Sequence, residues 1–263
     1  MENLRITTVQ STLHWEDRSA NLHMFDEKTR MLKGRTDLIV LPEMFTTGFS
    51  MNAAAVAEKM DGPAVRWMRA KSAQLGAVVA GSLIIEEGGR FFNRLIWMRP
   101  DGKLLHYDKR HLFTLAKEHE TYMAGRDKLI AEWRGWKICP LICYDLRFPV
   151  WSRNAEDYDL LLYVANWPEK RSYHWRQLLI ARAIENQAYT VGVNRVGEDG
   201  KGLGYTGDTS VIDYSGKVVY CVSGAEDVFT CLLSKEKMSG YREKLNFLGD
   251  RDEHEIFTKQ NIK

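Results

Sequence analysis

The sequence predicts a single α/β domain, and three observations carry that expectation. Strand-like and helix-like segments alternate along the 263 residues. Several of the strands are short continuous apolar runs, the pattern of strands covered on both faces. No linker, repeat or low-complexity tract interrupts the alternation, so one unit is expected over residues 1–263, with an irregular tail from about residue 234 placed to reach a neighbouring subunit.

Taken in order, LRITTVQ (4–10) alternates as a strand, and Leu22, Phe25, Met31 and Leu32 follow at roughly helical spacing across 19–33 until Gly34. DLIVLP (37–42) is the first doubly covered apolar run, and Asp61-Gly62-Pro63 opens a helix carrying Val65, Trp67, Met68 and Leu75. AVVAGSLII (77–85) is the next strand. FFNRLIWMR and KLLHYDK, joined by Pro100-Asp101-Gly102, form a hairpin, and WKICPLI (136–142) is a further apolar strand. Residues 149–157 are expected to be helical, LLLYVAN a strand, 172–187 a long amphipathic helix and AYTVGVN a strand. Strands at 208–213, 217–222 and 227–232, turning at Ser215-Gly216 and Gly224, complete a sheet-rich C-terminal third.

Composition narrows the function classes. With 44% hydrophobic and 27% charged residues the chain is an ordinary globular one, and 37 Lys and Arg against 35 Asp and Glu leave too little positive surplus for a nucleic-acid partner. The cysteines, Cys139, Cys143, Cys221 and Cys231, form no CxxC pair, which fits a reducing cytoplasm. The opening MENLRITTVQ has neither a basic nor an apolar leader region, and no apolar run reaches the roughly 18 residues of a spanning helix. The protein is therefore expected to be neither exported nor membrane-inserted.

Open α/β sheets place their chemistry at strand ends. Three such ends stand out: Glu43 in LPEMF, Lys109 in HYDKRHLF and Cys143 in LICYD. Each alone has a bland explanation, since free cysteines are mostly buried and inert and strand-end charges mostly solvated. Together they supply a nucleophile, a carboxylate able to act as base and then acid, and an ammonium that favours the thiolate and stabilises an oxyanion. The backbone N–H of Tyr144 is the expected second oxyanion donor.

The segments LPEMFTTGF, YDKRHLF and CYDLRFPVW, in this order and at these separations, resemble the nitrilase superfamily of carbon–nitrogen hydrolases. The resemblance spans essentially the whole chain, including ARAIENQAY (181–189) and GYTGDTSVIDYSGKVV (204–219), and is greatest to the bacterial omega-amidases. It implies a four-layer α-β-β-α sandwich, at least a homodimer, and a triad of Glu43, Lys109 and Cys143. A second glutamate is common in the superfamily between the lysine and the cysteine. Glu118 is favoured for it because, as in related amidases, it lies seven residues before Gly125; Glu120 is the fallback.

Competing motifs fare less well. GLGYTG (202–207) satisfies G-x-G-x-x-G but runs into a strand, so a phosphate would meet no helix N-terminus. The histidines, His14, His23, His106, His111, His119, His174 and His254, include no helical i, i+4 metal pair, and neither metal nor cofactor is implied. His106, His111 or His174 beside Cys143 in a papain-like pair has no local signature. Asp145 and Arg147 are expected to orient the turn through a local ion pair and hydrogen bonds. Phe49, Asn166 and Trp167 are expected to line the pocket, with Phe45 a further aromatic candidate.

Two functional classes follow: a thioester-forming amidase, or an interaction protein that keeps the fold without the reaction. The complete triad favours the amidase. Nitrile and N-carbamoyl hydrolysis are chemically adjacent alternatives. Resemblance to omega-amidases implies a small-molecule substrate, the terminal amide of 2-oxoglutaramate or 2-oxosuccinamate. Its far carboxylate needs a guanidinium, for which Arg110, Arg147 and Arg171 are candidates and Arg171 is preferred.

Overall fold

A computed structural model describes residues 2–253, 255 and 256. The first half of the chain runs β1 (Leu4–Gln10), α1 (Arg18–Thr29), β2 (Leu38–Val40), α2 (Ala53–Val56), α3 (Pro63–Leu75), β3 (Val78–Glu87), β4 (Arg90–Met98) and β5 (Leu104–Asp108). A short α4 (Glu118–Thr121) leads to β6 (Ala131–Trp133), β7 (Trp136–Ile142), α5 (Pro149–Ser152), β8 (Leu160–Ala165), α6 (Ser172–Asn186) and β9 (Tyr189–Asn194). Strands β10 (Val196–Glu198), β11 (Gly204–Ile212), β12 (Val218–Ser223) and β13 (Asp227–Leu233) and helix α7 (Lys235–Lys244) follow.

These strands form two sheets, one of six strands in the order β13-β1-β2-β3-β4-β5 and one of seven in the order β10-β11-β9-β8-β7-β6 with β12 paired to β11. The pairs β1–β2, β2–β3, β7–β8 and β8–β9 are parallel, and among these strands β2, β7 and β8 are continuous apolar runs of the sequence. Side-chain parity explains why such runs are needed. Leu38 and Val40 of β2 face the second sheet in one core cluster, whereas Ile39 and Leu41 join Phe25 of α1 and Val65 and Met68 of α3 in another. On the far side, α6 packs on β9, where a Cβ on Gly192 would lie 2.6 Å from both Trp175 and Leu179. Helices thus cover both outer faces, giving the expected four-layer α-β-β-α sandwich.

Some boundaries differ from the sequence expectation. The first helix ends at Thr29, whose hydroxyl back-bonds to the Phe25 carbonyl at 2.7 Å, and does not continue to Gly34. The helix expected over 149–157 stops at Ser152 because the buried Asn154 side chain instead bonds Tyr158 N–H at 2.8 Å and the Tyr158 and Asn186 carbonyls. The region from 234 is not irregular throughout. Ser234 caps α7, which Lys235 and Arg242 fasten to Asp159, while Arg242 also donates to the Tyr158 and Gln187 carbonyls. His254 and residues 257–263 of the expected tail lie outside the described residues. Among the described residues no helix is long and apolar enough to cross a membrane.

Candidate active site

The parallel strands deliver three side chains to one place. Glu43 lies just beyond β2, where the Met44 backbone takes a φ of 44° and its N–H is held by Ser82 Oγ at 2.8 Å. Lys109 follows β5, its N–H bonded to the Asn93 carbonyl and its own carbonyl to Gly125 N–H, both at 2.9 Å. Gly125 is required there, since a Cβ would come 2.1 Å from the Asp108 carbonyl oxygen. Cys143 follows β7 and begins a 3-10 turn, Cys143–Arg147, with φ at 44°, a conformation that costs a non-glycine residue energy and that the surrounding bonds must hold.

Asp145 supplies much of that hold. Its fully buried carboxylate accepts Ile142 N–H at 3.0 Å and Tyr107 Oη–H at 2.7 Å through one oxygen, and His111 N–H at 3.0 Å through the other, which also contacts His111 Nδ1 at 2.8 Å. It therefore ties the chain on both sides of Lys109 to the turn of Cys143. The hydrogen bonds from Asp145 form but the expected Asp145–Arg147 ion pair does not: Asp145 accepts from Ile142 of β7, Tyr107 of β5 and His111, and Arg147 lies over the Trp167 ring and contacts His174 Nδ1.

Lys109, Glu43 and Glu118 form a sealed cluster, each with a fully buried side chain. Lys109 Nζ donates to Glu43 Oε1 at 2.8 Å and to both Glu118 oxygens at 3.0 Å. Burial alone would push the ammonium down, but the charges of Glu118 and Glu43 outweigh it and hold the pKa above the ordinary lysine value. Burial, with Glu43 adding to it and Lys109 opposing, raises the Glu118 carboxyl. Glu118 Oε2 also accepts the Phe113 N–H at 2.6 Å. Glu120, the fallback, is exposed and faces Lys117 instead.

The Cys143 thiol is pushed well above its usual value, by burial first and then by the Glu43 charge, against which Lys109 acts the other way. The lysine favours the thiolate, as its charge must, but burial and Glu43 outweigh it. At neutral pH the sulfur carries its proton, hydrogen-bonded to Glu43, and reactivity requires a base at the moment of attack.

Cys143 and Lys109 open on a pocket of about 150 Å³, smaller than the roughly 300 Å³ at which drug-sized sites begin. Tyr144, Phe49, Asn166, Trp167 and Arg171 all line it. Phe45 does not; it packs between Phe25 and Trp67. Arg110 is turned away to the Gly125 carbonyl and the Trp151 ring, whereas Arg147 joins Arg171 at the wall. No histidine lines the pocket among the described residues, which removes the papain-like alternative.

Sequence reasoning missed two contributions. One is Asn93 of β4, whose Nδ2 donates to Glu43 Oε1 at 2.8 Å and Glu118 Oε1 at 3.3 Å. The other is the β10–β11 hairpin, which brings Asp199, Lys201, Leu203 and Tyr205 to the pocket. The glycine-rich GLGYTG run lies in this hairpin and enters a strand, not a helix. Leu203 and Tyr205, two apart, share a face, a period-two signal that was available.

The sandwich and its buried glutamate–lysine–cysteine constellation define a nitrilase-type protein. The chain belongs to the carbon–nitrogen hydrolase family, whose model matches residues 5–242. It is 50% identical to omega-amidase YafV of Escherichia coli K12 over 98% of this chain and 100% of that protein. A 2-oxoglutaramate amidase of Bacillus subtilis is 32% identical over 81% of this chain and 84% of its own length. Among solved structures, a CN-hydrolase superfamily protein of Xanthomonas campestris with an arsenic adduct in its active site is 45% identical, with a TM-score of 0.96, covering 98% of this chain and 100% of that one.

Surroundings separate the thiols. Cys139 is fully buried and raised by burial and Cys221 is exposed, whereas Cys143 and Cys231 are equally buried at 9% exposure and differ in that Cys143 lines the pocket beside Glu43. In a Cys221→Ser background, limiting iodoacetamide is expected to label Cys143 first, as read by peptide mass spectrometry. Faster labelling of Cys139 or Cys231 would contradict this geometry.

Proposed function

We propose that the protein is an omega-amidase that hydrolyses 2-oxoglutaramate or 2-oxosuccinamate to the 2-oxo diacid and ammonia through a Cys143 thioester. The observation that carries the proposal is the Lys109 ammonium, sealed between two carboxylates at 2.8 and 3.0 Å, beside a protonated thiol on a small pocket. The similarity to omega-amidase YafV supports the substrate class.

In this mechanism Glu43 takes the thiol proton as sulfur attacks the amide carbon. Once neutral, Glu43 no longer offsets Lys109, whose charge becomes available to the oxyanion that forms at that moment. One Lys109 N–H serves Glu43 and one is shared by the two Glu118 oxygens, so the third is directed to the amide oxygen. Tyr144 N–H, which at the start of a helical turn has no partner within it, is the second donor. Glu43 then protonates the departing ammonia and activates the water that cleaves the thioester. Glu118 holds Lys109 in place.

Arg147 and Arg171 suit the substrate's far carboxylate. Among the described residues neither pairs with a carboxylate, and burial, then the charge of Arg171, push Arg147 below its ordinary value, so an anion between them relieves an existing repulsion. Ammonia release from 2-oxoglutaramate is expected to exceed that from glutamine, an uncharged aliphatic amide or a nitrile by at least about 100-fold, the scale of a lost charge-assisted pair. Arg171→Ala is expected to raise KM for the oxo-acid amide and leave the uncharged amide unchanged. Comparable rates across the panel would refute the carboxylate anchor. As part of the same proposal the chain acts as one domain in a reducing cytoplasm, as a homodimer or larger homo-oligomer. A monomer by sedimentation at micromolar concentration would contradict the assembly.

A further inference from the structure

The mechanism asks the two oxygens of Glu43 for different things, and their surroundings differ. Oε1 accepts from Lys109 Nζ and from Asn93 Nδ2, both at 2.8 Å. Oε2 accepts from the Asn166 backbone N–H at 2.7 Å and, among the described residues, from no side-chain nitrogen. One oxygen is thus saturated by two donors while the other keeps a lone pair for a proton. We propose that Asn93 is a positioning residue of this active site: by occupying Glu43 Oε1 and spanning to Glu118, it makes Glu43 Oε2 the atom that receives the Cys143 proton.

Three further observations bear on Asn93. Its side chain is fully buried in β4 and does not line the pocket, so it acts through Glu43 and not on substrate. Its Oδ1 has no hydrogen-bond partner among the described residues, although a buried amide oxygen left unpaired is unfavourable. The residue is therefore placed for its Nδ2 donors at the expense of its own acceptor. A flipped amide would set Oδ1 against Glu43 Oε1 and Glu118 Oε1, which fixes the assignment. Finally, the Asn93 carbonyl accepts Lys109 N–H at 2.9 Å, so one residue registers all three charged members of the cluster.

The proton bookkeeping then runs through one atom. The S–H bond breaks as O–H forms at Glu43 Oε2 and sulfur bonds to the amide carbon. That O–H breaks as N–H forms on the leaving nitrogen and the C–N bond opens, releasing ammonia. Both transfers need Oε2 to be free and correctly aimed.

This inference rests on the proposed role of Glu43, and the test separates the two. The charged and titratable groups around Glu43 are Lys109 after β5, Glu118 of α4, Cys143 after β7, Tyr205 of β11 and Tyr122 after α4. Removing the Asn93 donor leaves all of these and withdraws one charge-assisted bond from the ionised carboxylate. Asn93→Leu, close to isosteric, is expected to lower kcat about 10- to 100-fold with KM within about 3-fold of wild type. The acid limb of kcat/KM is expected to move up by about one pH unit, a shift that a merely structural residue would not cause. If Asn93→Leu does not fold, Asn93→Ser replaces it, with the same direction of shift. A wild-type profile in the folded variant, a lower kcat with the acid limb unmoved, or a raised KM at unchanged kcat would each overturn the proposal. Glu43→Gln is measured alongside: if it is inactive while the Asn93 variant matches wild type, only the positioning role fails, whereas an active Glu43→Gln removes the base itself.

Discussion

Lys109→Met is expected to abolish turnover and also to destabilise the fold, by about 3–5 kcal/mol for a buried ion pair broken on one side. The two effects have one cause. Glu43 and Glu118 are both fully buried and share the single ammonium, so methionine leaves two sealed carboxylates with no counter-charge. The sign of the pH dependence follows from burial. Glu118 is already raised in the intact cluster, and a carboxyl whose folded pKa is raised contributes stability below its unfolded value that is lost as pH rises through the folded one. Without Lys109 that loss deepens, so urea unfolding of the variant should show a larger deficit at pH 8 than at pH 5. Wild-type stability at pH 8 would mean that the cluster is not charged as described.

Glu43→Gln is expected to lower kcat about 10²- to 10⁴-fold with a small change in KM, the signature of a lost acid–base group. The geometry adds a qualification to its use. Glu43 accepts at both oxygens, from Lys109 and Asn93 on one and from Asn166 N–H on the other, so a glutamine NH₂ must face a donor on one side. The thermal midpoint of the variant therefore has to accompany the kinetics. Because the resting thiol is protonated, iodoacetamide labelling of Cys143 should slow in the same variant. Near-wild-type turnover by a folded Glu43→Gln would eliminate the mechanism.

The parts of this architecture that were legible in the sequence are those where local and tertiary demands agree. Strands β2, β7 and β8 are covered on both faces and so read as unbroken apolar runs, and Asp61-Gly62-Pro63 marks the start of α3 with backbone chemistry alone. Glu43, Lys109 and Cys143 were visible because each stands at a strand end, and Glu118 was preferred over Glu120 on spacing to a glycine that the structure requires at 125. What stayed hidden depends on partners distant in sequence. Asn93 sits in the middle of an apolar strand and gains meaning only from carboxylates 50 and 25 residues away. Helix α7 is polar, with Met238 its buried side chain, and is held by Arg242 and Lys235 reaching Asp159 across the fold. The protonation of the resting Cys143 was not legible, because a lysine in the sequence says nothing about how deeply the sulfur is buried.

The central claim is that substrate becomes covalently attached to Cys143 while Glu43 handles the proton. The most direct measurement is rapid acid quench of the enzyme during turnover of 2-oxoglutaramate, followed by intact and peptide mass spectrometry. The account predicts an acyl adduct, the substrate less ammonia, on the peptide containing Cys143, cleaved by hydroxylamine and absent from a folded Cys143→Ala variant that releases no ammonia. Such a variant should fold, because Cys143 lies at a pocket wall and truncation opens little new cavity. An adduct on another residue, or ammonia release persisting in Cys143→Ala, would contradict it.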